Sequence, residues 1–149
     1  MFVLEWMRRS SPTVALLDVF EEVRRIQTSH EWSLLELEAC GVFTGSIKRK
    51  FDNQARLESL VEQSESGVLI GASLLAELIK QLDDITNLTI VNCPPKMQVR
   101  EIGIERICAK SSAAISLFDG HIYQVYNADS GLLRNLVGWL HIDGAIKQF

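Results

Sequence analysis

The sequence predicts an α/β protein of the α+β kind: a single domain over residues 1–149, a mostly antiparallel sheet with an Asp119-Gly120 hairpin, and three to four amphipathic helices packed on it. Three observations predict this. Asp119-Gly120 sits between two apolar, strand-forming runs, and Asp-Gly readily adopts the positive φ angles of a type I′ turn. Two segments, near residues 16–26 and 74–82, carry apolar residues at helical spacing. A composition of 47% hydrophobic and 23% charged residues in 149 supports one real core.

Residues 1–10 read as an N-terminal arm, loosely packed, because a glutamate, Glu5, interrupts a very short apolar run before Arg8-Arg9. Ser11-Pro12 marks a helix start, since a hydroxyl caps free amides and proline at the first helical position gives up no hydrogen bond. That helix is expected to reach Thr28, with Leu16, Phe20, Val23 and Ile26, joined by Leu17 and Val19, on its buried stripe.

Trp32 to Phe51 is ambiguous between strand and helical turn, and two strands with a turn between them are favoured. Asn53 to Gln63 reads as a short helix with Leu57, Leu60 and Val61 inward, stopped by Ser64-Glu65-Ser66-Gly67. A stronger helix is expected over Ser73–Asp84 on the apolar face of Leu74, Leu75, Leu78, Ile79 and Leu82. Leu88-Thr89-Ile90-Val91 then reads as a buried strand closed by Cys93-Pro94-Pro95, because consecutive prolines cannot donate to a ladder.

Arg100–Ala109 alternates loosely, with Ile107 out of phase, and predicts a bulged strand. Pairing outward from the Asp119-Gly120 turn sets Leu117 opposite Ile122 and Ile115 opposite Gln124 on one face. The other face then carries Phe118 opposite His121 and Ser116 opposite Tyr123. A last helix, Leu132–Leu140, and a terminal strand, Ala145–Phe149, complete the reading.

A net charge of −4 offers no electrostatic footprint for nucleic acid. The one basic cluster, Lys48-Arg49-Lys50, reads as a solvated strand end. No run approaches the roughly 18 apolar residues of a membrane span, and the order of the first residues is the reverse of a signal peptide. Three cysteines, odd in number and far apart, suit a reducing cytoplasm.

For catalysis, Cys40, Cys93 or Cys108 would need a base from His30, His121 or His141, and none is framed like a triad. The same scattering lacks metal-ligand spacing, so neither a metal nor a cofactor is expected. Asp83-Asp84 has the acidic pairing of a receiver domain but is placed at a helix end, where solvated acids suffice. Gly67 and Gly71 lack the Lys and Ser/Thr of a phosphate loop. A single leucine-rich-repeat-like unit at Leu82–Pro94 has no second copy to stack on. His121 beside Asp119 reads as turn chemistry rather than an acid-base pair.

The last third of the chain carries, in order, Ile104-Glu105-Arg106-Ile107, then Ile115-Ser116-Leu117-Phe118-Asp119-Gly120-His121-Ile122, then Leu132-Leu133-Arg134-Asn135-Leu136-Val137-Gly138-Trp139, then Gly144-Ala145-Ile146-Lys147-Gln148-Phe149. That order is similar to the PatA N-terminal-type (PATAN) regulatory domains of bacterial signalling proteins. Such domains have a comparable hairpin, then a helix ending in Trp, Gly and an aromatic, and often accompany response-regulator modules. The resemblance spans Ser73–Phe149 and implies protein binding without catalysis; Tyr126-Asn127-Ala128 departs from the family's tight alanine.

The expected function is therefore that of a non-enzymatic regulatory or adaptor protein acting on a protein partner, with a homodimer as one form. Candidate contact residues are Phe118, His121 and Tyr123 near the hairpin tip, because aromatics with a polar edge anchor interfaces. An immunity-protein or antitoxin-like inhibitor of a basic partner is the alternative, and a small Cys/His enzyme is a third.

Overall fold

The structure, a computed structural model, describes residues 1–7, 16–27, 29, 31–92 and 103–149. Among these, seven strands form one open antiparallel sheet: β1 (Phe2–Met7), β2 (Glu31–Gly41), β3 (Val68–Gly71), β4 (Leu82–Asn92), β5 (Ala113–Phe118), β6 (Ile122–Asn127) and β7 (Gly144–Gln148). Their order across the sheet is β3-β2-β4-β5-β6-β1-β7. The described residues form six helices, where three to four were expected: α1 (Leu16–Ile26), α2 (Gly45–Phe51), α3 (Gln54–Gln63), α4 (Ala72–Gln81), α5 (Ile104–Lys110) and α6 (Ser130–Leu140).

The two faces of the sheet are covered unequally. Alternate strand residues, Leu88 on β4, Leu117 on β5, Tyr123 on β6 and Trp6 on β1, lie in one register row and point into the main core. That core is closed by α1, α2, α3, α4 and α6 through residues such as Phe20, Ile47, Leu57, Leu75 and Leu136. Trp6 stacks on Tyr123 with ring centroids 5.0 Å apart, and Phe20 meets Trp32 edge-on at 5.1 Å. The opposite face holds a smaller apolar cluster of Val3, Leu35, Val91, Ala114 and Tyr126 under Ile107 and Cys108 of α5.

The helices follow from local chemistry. In α1, Leu16, Val19, Phe20 and Val23 are buried on one stripe while Ile26, the last helical residue, is 44% exposed. Asn53 accepts the Arg56 N–H and caps α3, leaving Leu57 and Val61 inward and Leu60 largely exposed. Asp129 likewise takes the Gly131 N–H at the start of α6. The outer edge of β2 beyond β3 is covered by α3, where Glu58 accepts the Ala39 N–H at 2.9 Å.

The first residues are not a loose arm. Phe2–Met7 form β1, paired with β6 on one side and β7 on the other, with Leu4 fully buried. Residues 31–41 run as one long strand with register shifts at Leu34/Glu36 and Glu38/Cys40, so the second expected strand is absent. In its place α2 forms, because Ile47 and Phe51 at helical spacing bury together after Gly45 turns the chain at φ 57°. Lys48-Arg49-Lys50 are consequently exposed residues of a helix rather than a strand end.

Helix α4 stops at Gln81, and Leu82-Asp83-Asp84 open β4 instead of closing the helix, with Asp84 at φ 43°. The described part of the expected 100–109 strand, from Gly103 on, leads into α5. Ile107 and Cys108, with Ile104 at i−3 and i−4, form one helical face, and the out-of-phase Ile107 is the residue that disqualifies a strand. Ser11-Pro12, Thr28 and Cys93-Pro94-Pro95 lie outside the described residues.

The hairpin is present with a different register. Asp119 and Gly120 have φ of 50° and 72°, and the His121 N–H donates to the Phe118 carbonyl. Yet Phe118 pairs with Ile122, Leu117 with Tyr123, Ser116 with Gln124 and Ile115 with Val125. His121 therefore belongs to the loop. A one-residue slip moves a whole strand's side chains to the other face, which sends Tyr123 to the main core and Gln124 to the opposite side. The tip is anchored on β4, since the Gly120 N–H donates to the Thr86 carbonyl at 2.8 Å and the Asp119 N–H to Asn87 Oδ1 at 3.2 Å.

Candidate functional site

The register aligns five polar residues across five strands on the α5 face: Glu36 on β2, Thr89 on β4, Ser116 on β5, Gln124 on β6 and Glu5 on β1. Thr89 and Ser116 are fully buried, and their hydroxyls satisfy each other at 3.1 Å. Gln124 is fixed at both ends of its amide. Its Nε2 donates to Glu5 Oε2 at 2.6 Å, and its Oε1 accepts from the Tyr126 hydroxyl at 3.0 Å.

Above this row, one side of α5 roofs a cavity of about 330 Å³. Ser116 and Gln124 lie on its sheet side, Ile104, Phe118 and Tyr126 supply apolar and aromatic surface, and Glu105 and Cys108 descend from the helix. Sites of this size are small for a ligand pocket, at the low end of about 300–1,000 Å³. Two loop features bring Phe118 and Glu105 to one mouth: the hairpin tip held on β4, and Gly103, whose φ of 81° sets the entry into α5.

The charged side chain among the described lining residues is Glu105. Burial pushes the Cys108 thiol up to about 12, the Ser116 contact opposes this, and the charges of Glu105 and Glu36 add to it. Tyr126 is also pushed up, chiefly by burial and then by the negative charge of Cys108, Glu105 and Glu5. Glu36 itself is raised by burial and by neighbouring Glu38. At neutral pH, then, burial keeps the proton on the Cys108 thiol and on the Tyr126 phenol. A thiol in that state is a poor nucleophile.

Of the three candidate contact residues, the structure brings two together. Phe118 is half-buried and lines the cavity, and His121 stands three residues on in the loop, its Nδ1–H donating to the Asp119 carbonyl at 2.7 Å. The Asp119 carboxylate is not that partner. Tyr123 is 3% exposed and stacked on Trp6 in the main core, so its ring is unavailable to a partner.

Cys40 is exposed at the second bulge of β2, and His141 is exposed at the left-handed C-terminus of α6. His30 and Cys93 lie outside the described residues. No described histidine lines the cavity around Cys108. Among the described residues no three His, Cys, Asp or Glu side chains gather as metal ligands, and no helix is long and apolar enough to cross a membrane.

Sequence reasoning missed Ser116, Gln124, Tyr126, Glu105 and Cys108 as one site. The available signal was the alternation of Ser116 with Phe118 and of Gln124 with Tyr126, which becomes a shared face once the loop is given three residues. No protein-family model, no curated protein and no solved structure matches this chain.

Proposed function

We propose that this chain is a non-enzymatic regulatory or adaptor domain that acts in bacterial signalling by offering the α5 face of its sheet to a protein partner. The observation that carries this reading is Phe118, which lines the cavity from a hairpin tip braced against β4, with His121 in the adjoining loop. A half-buried aromatic on a rigid support, with a polar neighbour, is the make-up of an interface anchor. The protonated state of Cys108, and the lack of a described histidine beside it, support binding over nucleophilic catalysis.

The resemblance of the C-terminal half to PATAN domains supports the signalling context, and the free thiols of Cys40 and Cys108 suit a reducing cytoplasm. Glu5, Glu36, Glu38 and Glu105, carried on or around one face, also favour a second reading as an immunity-protein or antitoxin-like inhibitor of a basic partner. Both readings use the same surface.

Affinity capture from the native host tests the proposal, using wild type, Phe118→Asp, His121→Ala and, on the helical side, Lys80→Glu. Circular dichroism establishes that each variant is folded. The same partner should be retained by wild type and Lys80→Glu and lost by Phe118→Asp, with His121→Ala intermediate. Retention by folded Phe118→Asp, or capture of no partner at all, contradicts the proposal.

A further inference from the structure

The cavity has more definition than a protein contact needs, and the geometry points to a second role: we infer that it binds a small organic cation, a protonated amine on a compact aromatic or apolar body. This goes beyond the protein-contact reading and does not depend on it.

Size comes first. About 330 Å³ admits a small molecule rather than a cofactor. The surroundings then divide into two kinds. Ile104, Phe118 and Tyr126 offer apolar and aromatic surface to a hydrocarbon body, and aromatic faces attract an adjacent cation. On the sheet side stand acceptors: the Ser116 hydroxyl, and the Gln124 amide, whose Oε1 keeps a second lone pair beyond the one used by Tyr126. Gln124 cannot rotate to present its nitrogen without giving up both the Glu5 and the Tyr126 contacts.

Charge decides the sign of the ligand. Glu105 lines the cavity, Glu5 stands behind Gln124, and Glu36 lies in the same row of the sheet. Lys147 approaches Glu5 at 3.9 Å, itself 64% exposed, while Arg106 and Lys110 are exposed on α5 and neither lines the cavity. Glu105 adds to the upward displacement of both Cys108 and Tyr126, after burial, which is its larger cause. Among the described residues no cationic side chain lines the cavity to receive an anion. A neutral ligand could donate a hydrogen bond to Glu105 but would gain no charge–charge attraction from it.

The test uses the full chain and three phenylethyl probes that differ in their polar end: phenethylamine, 2-phenylethanol and 3-phenylpropionate. Binding is followed by amide chemical shifts in two-dimensional NMR. Phenethylamine should bind saturably, shifting the amides of Cys108, Ser116 and Gln124. The alcohol should bind at least about fivefold more weakly, and the carboxylate more weakly still. Glu105→Gln, an exposed substitution that leaves the fold intact, should weaken the amine about fivefold, the size of one partly solvated ion pair, and leave the alcohol unchanged. The inference is overturned if phenethylamine shows no saturation with Kd below about 10 mM, if the carboxylate binds as well as the amine, or if Glu105→Gln changes both alike. Partner capture in the preceding experiment would survive any of these results.

Discussion

Leu4→Ala separates a structural β1 from a loosely packed arm. Leu4 is fully buried, pairs with Val125 on β6 and Ile146 on β7, and packs in the main core. Removing its branched end deletes about three carbons from a site walled on both sides by hydrogen-bonded strands, which have little freedom to collapse. Buried Leu→Ala changes cost about 2–5 kcal/mol, and the constrained surroundings place this one at about 3 kcal/mol or more. With a urea dependence of about 1–3 kcal/mol per M for a small domain, the unfolding midpoint should fall by about 1–3 M. Met7, 57% exposed at the end of the same strand, is the internal control; Met7→Ala should stay within about 0.5 kcal/mol. Equal and small effects of the two substitutions would refute the placement of β1 in the sheet.

Other consequences follow from single positions. Gly67 has φ 88°, and a Cβ there would stand 2.2 Å from Ser33 Oγ and 2.9 Å from the Leu34 carbonyl oxygen, so Gly67→Ala should lower thermal stability by more than the about 1–2 kcal/mol of the backbone penalty alone. An unchanged melting temperature would contradict the packing of β2 against this turn. At pH 8, iodoacetamide should alkylate exposed Cys40 quickly in the native protein and reach Cys108 only after unfolding, as read by peptide mass spectrometry. Cys108 also sets a pH dependence. Its folded pKa of about 12 lies above the ordinary 9.0, so the folded state holds that proton more tightly. The associated stability is complete below pH 9 and is lost as pH rises towards 12, and Cys108→Ala should flatten that decline in alkaline urea titrations. A decline of the same steepness in the variant would remove Cys108 as its source.

What could be read from the residues divides by the range of the forces involved. The stripe of Leu16, Val19, Phe20 and Val23, the short helix expected from Asn53 to Gln63 and the Asp119-Gly120 turn are local, and each appears where local chemistry puts it. The end of α4 was not legible, because Leu82 continues the helical stripe equally well; pairing of Leu82 with Gly41, a long-range contact, moves it into β4. Ile107 could be a strand residue out of phase or a helical one in phase, and only packing with Val91, Ala114 and Tyr126 settles which. The candidate site suffered most from a single residue of register. Reading a two-residue loop set Ser116 against Tyr123, whereas the three-residue loop sets Ser116 against Gln124 and builds the polar row. Phe118 and His121 were legible as tip residues under either register, and Tyr123 was not.

The central claim, that this chain works by binding at the α5 face, is tested most directly by photocrosslinking in the native host. Benzoylphenylalanine in place of His121, at the hairpin tip, is compared with the same group in place of exposed Lys80 on the helical side. The account predicts one reproducible protein adduct from position 121, absent from position 80 and abolished when Phe118→Asp is added. Adducts that arise from position 80 alone, or that persist undiminished with Phe118→Asp, would contradict it.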